Sequence, residues 1–231
     1  MERKNEFWLL LGLALGLVII WQMPGGNYLV YPFTILSTWF HEMGHGLAAW
    51  LLGGKFLQLE IYQNGGGLAV YSLPVNASNL TRGLIALAGP IGPTVVGSLF
   101  ILASPHPGKS RIILIFLGGF LLLSCLIWVR SIYGLLVIPL IGCALLWVAA
   151  KCPVKVTHLV VNLIGVQAAM SLYQHTDYFF TESVTIAGNT MLSDTGQMEQ
   201  AFWLPHWFWA GSIVLLSIAI LVFSLQVAYR R

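Results

Sequence analysis

Apolar runs separated by short polar breaks recur along the whole chain, at 7–23, 33–52, 84–103, 112–129, 132–150, 157–174 and 207–227. Most approach the roughly 20 residues that cross a bilayer core. The breaks carry turn and loop chemistry, in Pro24-Gly25-Gly26, in 104–111, at Arg130 and in Lys151-Cys152-Pro153. No small-residue cleavage site follows the first run, so it reads as a retained span. Between the second and third runs the pattern changes. Gln58 to Gln63 alternates, Asn64-Gly65-Gly66-Gly67 is turn chemistry, and Leu68 to Ser72 alternates again. Two short strands around a glycine turn fit this pattern. An open sheet edge is costly in hydrocarbon, so this hairpin must rest against protein, water or a guest strand.

The pattern therefore predicts an all-α polytopic membrane protein of six or seven spans. A small β-hairpin is inserted after the second segment, and 1–231 forms a single integral-membrane domain. Arg3 and Lys4 at one end, and Arg230 and Arg231 at the other, prefer the same side of a bilayer, with Arg3 and Lys4 cytoplasmic. That requires an even number of crossings, so one of the seven runs is re-entrant or two are merged.

Composition agrees and narrows the function. Hydrophobic residues make up 58% of the chain and charged residues 8%, against roughly 25% charged in a soluble domain. Neither a soluble globule nor a disordered chain is compatible with this. The net charge of +3 is scattered, with no basic block to track a phosphate backbone, which excludes nucleic acid as a partner. The lipid bilayer is the partner implied instead. Cys125, Cys143 and Cys152 form no Cys-x-x-Cys pair, so neither a disulfide framework nor a thiolate zinc site is indicated.

The second run contains Phe40-His41-Glu42-Met43-Gly44-His45-Gly46. Positions i and i+4 share one helix face, so His41 and His45 can offer ring nitrogens to one metal ion. Glu42 stands beside them, placed to take a proton from a water activated by the metal. This is the spacing of zinc hydrolases. In a membrane segment each of these ionisable groups is expensive, which favours a functional reading over histidines that merely bond across helices.

A hydrolytic zinc site has three protein ligands and a water. Of the eight acids, Glu2 and Glu6 precede the first run, and Glu60 lies beyond Gly53-Gly54 in a strand-like segment. Leu51 stands where a third histidine six residues after His45 would be. The third ligand then comes from 177–199, or from His106, His158, His175 or His206. Asp194 and Asp177 are the leading candidates. Asp194 opens a short helix-like segment just ahead of Gly196, and its competing use is as an N-cap. Asp177 closes a span and needs less chain to reach the histidines.

On these residues the sequence resembles the site-2-protease-like membrane zinc metallopeptidases, and among them the compact branch without a PDZ domain. The resemblance runs over about 33–210, through the 40–46 motif, Gly53-Gly54, the hairpin turn at Asn64 to Gly67, and Ala86-Leu-Ala-Gly-Pro-Ile-Gly-Pro93. Ser193-Asp194 with a short helix and Trp207 is similar to the Ser-Asp signature of that branch. The resemblance implies zinc held by His41, His45 and a distant aspartate, with Glu42 as general base. The Leu-Asp-Gly triplet of the better-known members is absent, and no asparagine follows Gly89-Pro90. Gly89-Pro90 and Gly92-Pro93 serve either helix packing or a water path toward the metal. The aromatic residues at 202–209 read as an interfacial belt.

The function these features imply is a zinc-dependent intramembrane endopeptidase acting on transmembrane protein substrates. The competing reading is a catalytically inactive membrane scaffold or regulator of the same fold, supported by the missing triplet. A metal carrier would have no need of Glu42.

Overall fold

A computed structural model describes residues 2–174, 176–186 and 188–229. The side chains of Arg3 and Lys4, and all of Arg230 and Arg231, lie outside the described residues, as does His175.

The chain runs α1 (Glu2–Gln22), α2 (Gly26–Leu51), β1 (Lys55–Ile61), β2 (Gly67–Ser72), α3 (Asn79–Ala103), α4 (Ser110–Ile127), α5 (Ile132–Lys151) and α6 (Val154–Gln174). It continues through a four-residue α7 (Thr176–Phe179), β3 (Ser183–Ile186), β4 (Asn189–Leu192), α8 (Asp194–Phe202) and α9 (His206–Tyr229). Among the described residues six helices, α1, α3, α4, α5, α6 and α9, are long and apolar enough to cross a membrane. The seventh long helix, α2, falls outside that set. The chain is thus an all-α polytopic membrane protein with a small hairpin after the motif helix.

The surface is that of a protein solvated by lipid. Ile19, Phe116, Leu126, Leu140, Leu215 and Phe223 point outward, while Ser98, Asn162, Gln167 and Ser217 are buried among the helices. Small residues set the close crossings, as where Gly118 on α4 meets the Gly142 carbonyl of α5. Trp39 on α2 donates its indole N–H to Ser124 on α4 at 3.0 Å, so a buried polar group is satisfied across the bundle.

Helix α2 starts earlier than the hydrophobic pattern predicts, at Gly26 instead of residue 33, with Pro32 inside it. A proline reads locally as a boundary, but neighbouring helices make it tolerable within a packed membrane helix. The hairpin is antiparallel, pairing Lys55 with Ser72 and Ile61 with Gly67, with an irregularity between Phe56 and Gln58. It folds back along α2, since Tyr31 donates to the Gln63 carbonyl and Thr38 to the Gly65 carbonyl, both at 2.6 Å. The outer edge of β1 is occupied by the chain between α4 and α5. The Leu59 N–H bonds the Trp128 carbonyl at 2.8 Å, and the Arg130 N–H bonds the Leu59 carbonyl at 3.0 Å. Among the described residues no strand pairs with the other edge of β2.

A second hairpin, β3–β4, stands in the polar stretch between α7 and α8 and pairs Ser183 with Leu192. The sequence pattern did not indicate it, because four-residue strands are too short for alternation to register.

Candidate metal centre

The first two donors follow from helix geometry. Residues four apart on α2 face the same way, and the rings of His41 and His45 sit 4.9 Å apart with their Nε2 atoms 3.1 Å apart. Helix α3 crosses this face closely. The His45 Nδ1 lies 2.8 Å from the Ile85 carbonyl, and a carbonyl only accepts, so Nδ1 carries the proton. In the neutral ring Nε2 is then a bare lone pair, the tautomer suited to a metal ligand. Gly89 makes the crossing possible, because a Cβ there would fall 2.1 Å from the His45 Nε2. Gly89-Pro90 thus packs directly on the candidate ligand.

The third donor arrives from almost 150 residues away. Ser193 caps α8, its Oγ accepting from the Gly196 N–H at 3.1 Å. Asp194 is therefore not the cap, and its carboxylate is free. The same turn is fastened to the segment after α7, since the Ser193 N–H donates to the Glu182 carbonyl at 2.9 Å and the Thr195 hydroxyl to the Phe179 carbonyl at 2.8 Å. Held there, Asp194 places Oδ2 3.0 Å from the His41 Nε2 and Oδ1 3.1 Å from the His45 Nε2.

The remaining sequence candidates stand elsewhere. Asp177 begins α7 with an exposed side chain, and Glu182 is exposed. Glu60 bonds Gln58 and Tyr62 on its own hairpin. Glu199 is paired with His206 at 3.1 Å. His158 is buried against Glu6 at 2.6 Å and Ser110 at 3.1 Å, and His106 is exposed in the loop before α4. Among the described residues, His41, His45 and Asp194 form the group whose donor atoms converge.

The donor set fits a zinc ion. Tetrahedral ligands at about 2.0–2.1 Å from zinc stand about 3.3–3.4 Å from one another, and the three contacts here are 3.0–3.1 Å. Asp194 Oδ2 is buried and receives no hydrogen bond of good geometry despite its closeness to His41. Lone pairs facing one another at this distance repel unless a cation or proton lies between them.

Glu42 is buried on the same face beside the three donors. Its carboxylate shares a cavity with Ala69 of β2. Gly67 lets the strand come this near, because a Cβ there would lie 2.7 Å from the Glu42 Cγ. A cavity of about 290 Å³ joins Glu42, His41, His45 and Asp194 to the β2 segment 67–71 and to Tyr178. A neighbouring cavity of about 230 Å³ continues past Glu42 to Val184 and Thr185 of β3. The open edge of β2 therefore faces the cluster, and the second hairpin stands across the gap.

Tyr178 of α7 is the site residue the sequence pattern did not single out. Its ring stands edge-on to His41 at 6.2 Å, and it lines the same cavity as Asp194. Burial first, then the charges of Asp194 and Glu42, push its hydroxyl well above its ordinary range and keep it neutral. No local signal marks it, because its role depends on Asp194 arriving from α8.

Against known families, residues 10–224 match the model described as Peptidase M50B-like. The chain belongs to this family of membrane metallopeptidases, related to the site-2 proteases. No curated protein and no solved structure matches it.

Proposed function

We propose that this protein is a zinc-dependent intramembrane endopeptidase that cuts transmembrane protein substrates, with His41, His45 and Asp194 as the metal ligands and Glu42 as the general base. The observation that carries this reading is the convergence of three donors and a buried carboxylate in one cavity along an unpaired strand edge. Zinc, when bound, supplies a Lewis acid that activates water near neutral pH.

The protein's own groups account for the rest. Glu42 lies beside the ligands without joining them, placed to accept a proton from the attacking water and to return it to the leaving amine. A membrane-spanning substrate must first unwind, because a helix spends its carbonyls on internal bonds. The open edge of β2 offers the unwound segment a strand to pair with, and 67–71 lie against the same cavity as Glu42. Tyr178 presents its hydroxyl from the wall of the same cavity.

The scaffold reading drew its support from the missing Leu-Asp-Gly triplet. Asp194 supplies a buried carboxylate at the histidines by another route, which removes that support.

The test is the full-length protein reconstituted with a model transmembrane substrate, compared with Glu42→Gln. The variant should keep its zinc and lose cleavage by at least about 10²-fold, as removal of an essential base does. Cleavage at the wild-type rate would overturn the assignment.

A further inference from the structure

Away from the metal centre the bundle holds a larger cavity, of about 950 Å³, between α2, α3 and α4. It arises because α3 packs on α2 and α6 whereas α4 packs on α5 and α6, which leaves a gap between the two. Phe40, Met43 and Leu47 of α2 form its floor, and none of them borders the metal cavities. Here α2 and α3 meet backbone to backbone. A Cβ on Gly44 would fall 2.3 Å from the Ala88 carbonyl oxygen, and one on Gly92 2.7 Å from that of Phe40. This contact separates the groove from the metal cluster, and the cavities there share no lining residue with it. Val95, Leu99, Ile112, Phe116 and Leu123 stand exposed along its rim, so it opens outward to the hydrocarbon.

Every side chain lining the groove is apolar but for the indole N–H of Trp39, which is donated to Ser124 at 3.0 Å. A polar ligand would find no partner here, and hydrocarbon needs none. Length separates the hydrocarbon candidates. From Ile112 to Leu123 the α4 wall measures about 16 Å at 1.5 Å per residue. The acyl chains of one leaflet fill about 15 Å, half of a core of roughly 30 Å, whereas a spanning helix fills all of it. The groove therefore has the length of one acyl chain.

The groove ends beside the α3–α4 connection, at Leu99 and Phe100 on one wall and Ile112 and Ile113 on the other. That connection carries exposed Lys109, and the first turn of α4 carries exposed Arg111. Lys109 precedes Ile112, Ile113 and Phe116 by three, four and seven residues, the spacing of one helix face, and the helical turn at 107–109 runs directly into α4. Arg111 precedes the lining residue Ile115 by four. Neither cation meets an acid among the described residues. Arg111 donates to the Cys152 carbonyl at 3.1 Å, and a guanidinium has further N–H groups for a phosphate. We propose that this groove binds an anionic phospholipid, with one acyl chain between α3 and α4 and the phosphate at Lys109 and Arg111. The site stands apart from the metal centre and does not depend on the peptidase reading.

Native mass spectrometry of the full-length protein in detergent tests this, with phosphatidylglycerol or phosphatidylcholine of identical chains titrated in. The wild type should hold the first phosphatidylglycerol more tightly than the first phosphatidylcholine. Lys109→Gln and Arg111→Gln should each lower that preference about fivefold, the share of one basic residue at an anionic lipid surface. Neither should change phosphatidylcholine binding. Gly119→Phe fills the groove, since Gly119 lines it and an added Cβ there meets no atom within 4 Å. This variant should lose the tightly held lipid of either kind. Gly12→Phe, equally unobstructed but on α1 outside the groove, should retain it. Equal affinity of the wild type for both lipids, a preference unaltered in both charge variants, or lipid retention unaltered in Gly119→Phe would overturn the proposal. So would a dimer or a co-purified membrane protein that disappears in Gly119→Phe, because a helix would then occupy the groove. If Gly119→Phe fails to insert, the two charge variants decide the matter.

Discussion

Ser193 caps α8 and thereby frees Asp194, the next residue, to meet two histidines on another helix. Either residue type could satisfy the helix N-terminus, and the division of labour between them decides whether a third carboxylate ligand exists. Replacing the cap tests the coupling. Ser193→Ala should cost about 1 kcal/mol of stability. It also removes the bond to the Thr181 carbonyl, so zinc affinity should fall while stoichiometry at saturating zinc stays near that of the wild type. Thermal unfolding and competitive zinc titration measure the two effects separately.

The choice between the two aspartates is directly testable. Asp194→Asn should lose bound zinc after detergent extraction, and Asp177→Asn, altering an exposed side chain, should retain it. Metal analysis of the purified proteins gives the answer. Zinc loss in Asp177→Asn with retention in Asp194→Asn would transfer the ligand.

The helix crossing at His45 is a close one. Gly89→Ala places a methyl group 2.1 Å from the His45 Nε2, so either α3 or the imidazole must move. Overpacking of this kind costs about 1–3 kcal/mol, and here the displaced group is a candidate ligand. The expected outcome is an inserted protein with a lower melting temperature and much weaker zinc binding. Wild-type zinc affinity in this variant would contradict the crossing described.

Tyr178 supplies a donor but no ligand atom. Tyr178→Phe should keep its zinc and its fold and lower kcat more than it raises KM. Removal of a donor to developing charge typically costs about 10²–10³ in rate, and a partial role would give less. An unchanged kcat would assign Tyr178 to packing against His41 alone.

Much of this architecture is legible in the sequence because the bilayer imposes a simple rule. Apolar runs of membrane length became helices, and Gln58 to Ser72, alternating around its glycines, became a hairpin. The spacing of His41 and His45 is local, so a helix alone determines that they share a face. The third donor is another matter. Elimination confined it mainly to 177–199, but preferring Asp194 over Asp177 depends on Ser193 taking the cap and on Thr195 bonding the Phe179 carbonyl. The cap is local, but the Thr195 bond spans 16 residues and leaves no period in the sequence. Tyr178 was hidden for the same reason, and β3–β4 because four-residue strands are too short for alternation to register. The early start of α2 was hidden differently, because Pro32 is a boundary in a short window and a tolerated residue once α2 is packed.

The most direct test of the central claim is X-ray absorption at the zinc edge on purified full-length protein, with metal content measured on the same sample. About one zinc per chain is expected, surrounded only by nitrogen and oxygen at about 2.0–2.2 Å with an imidazole signature. His41→Ala should abolish it. A protein that binds no zinc, or that holds it through sulfur, or whose stoichiometry survives loss of His41, would contradict the account.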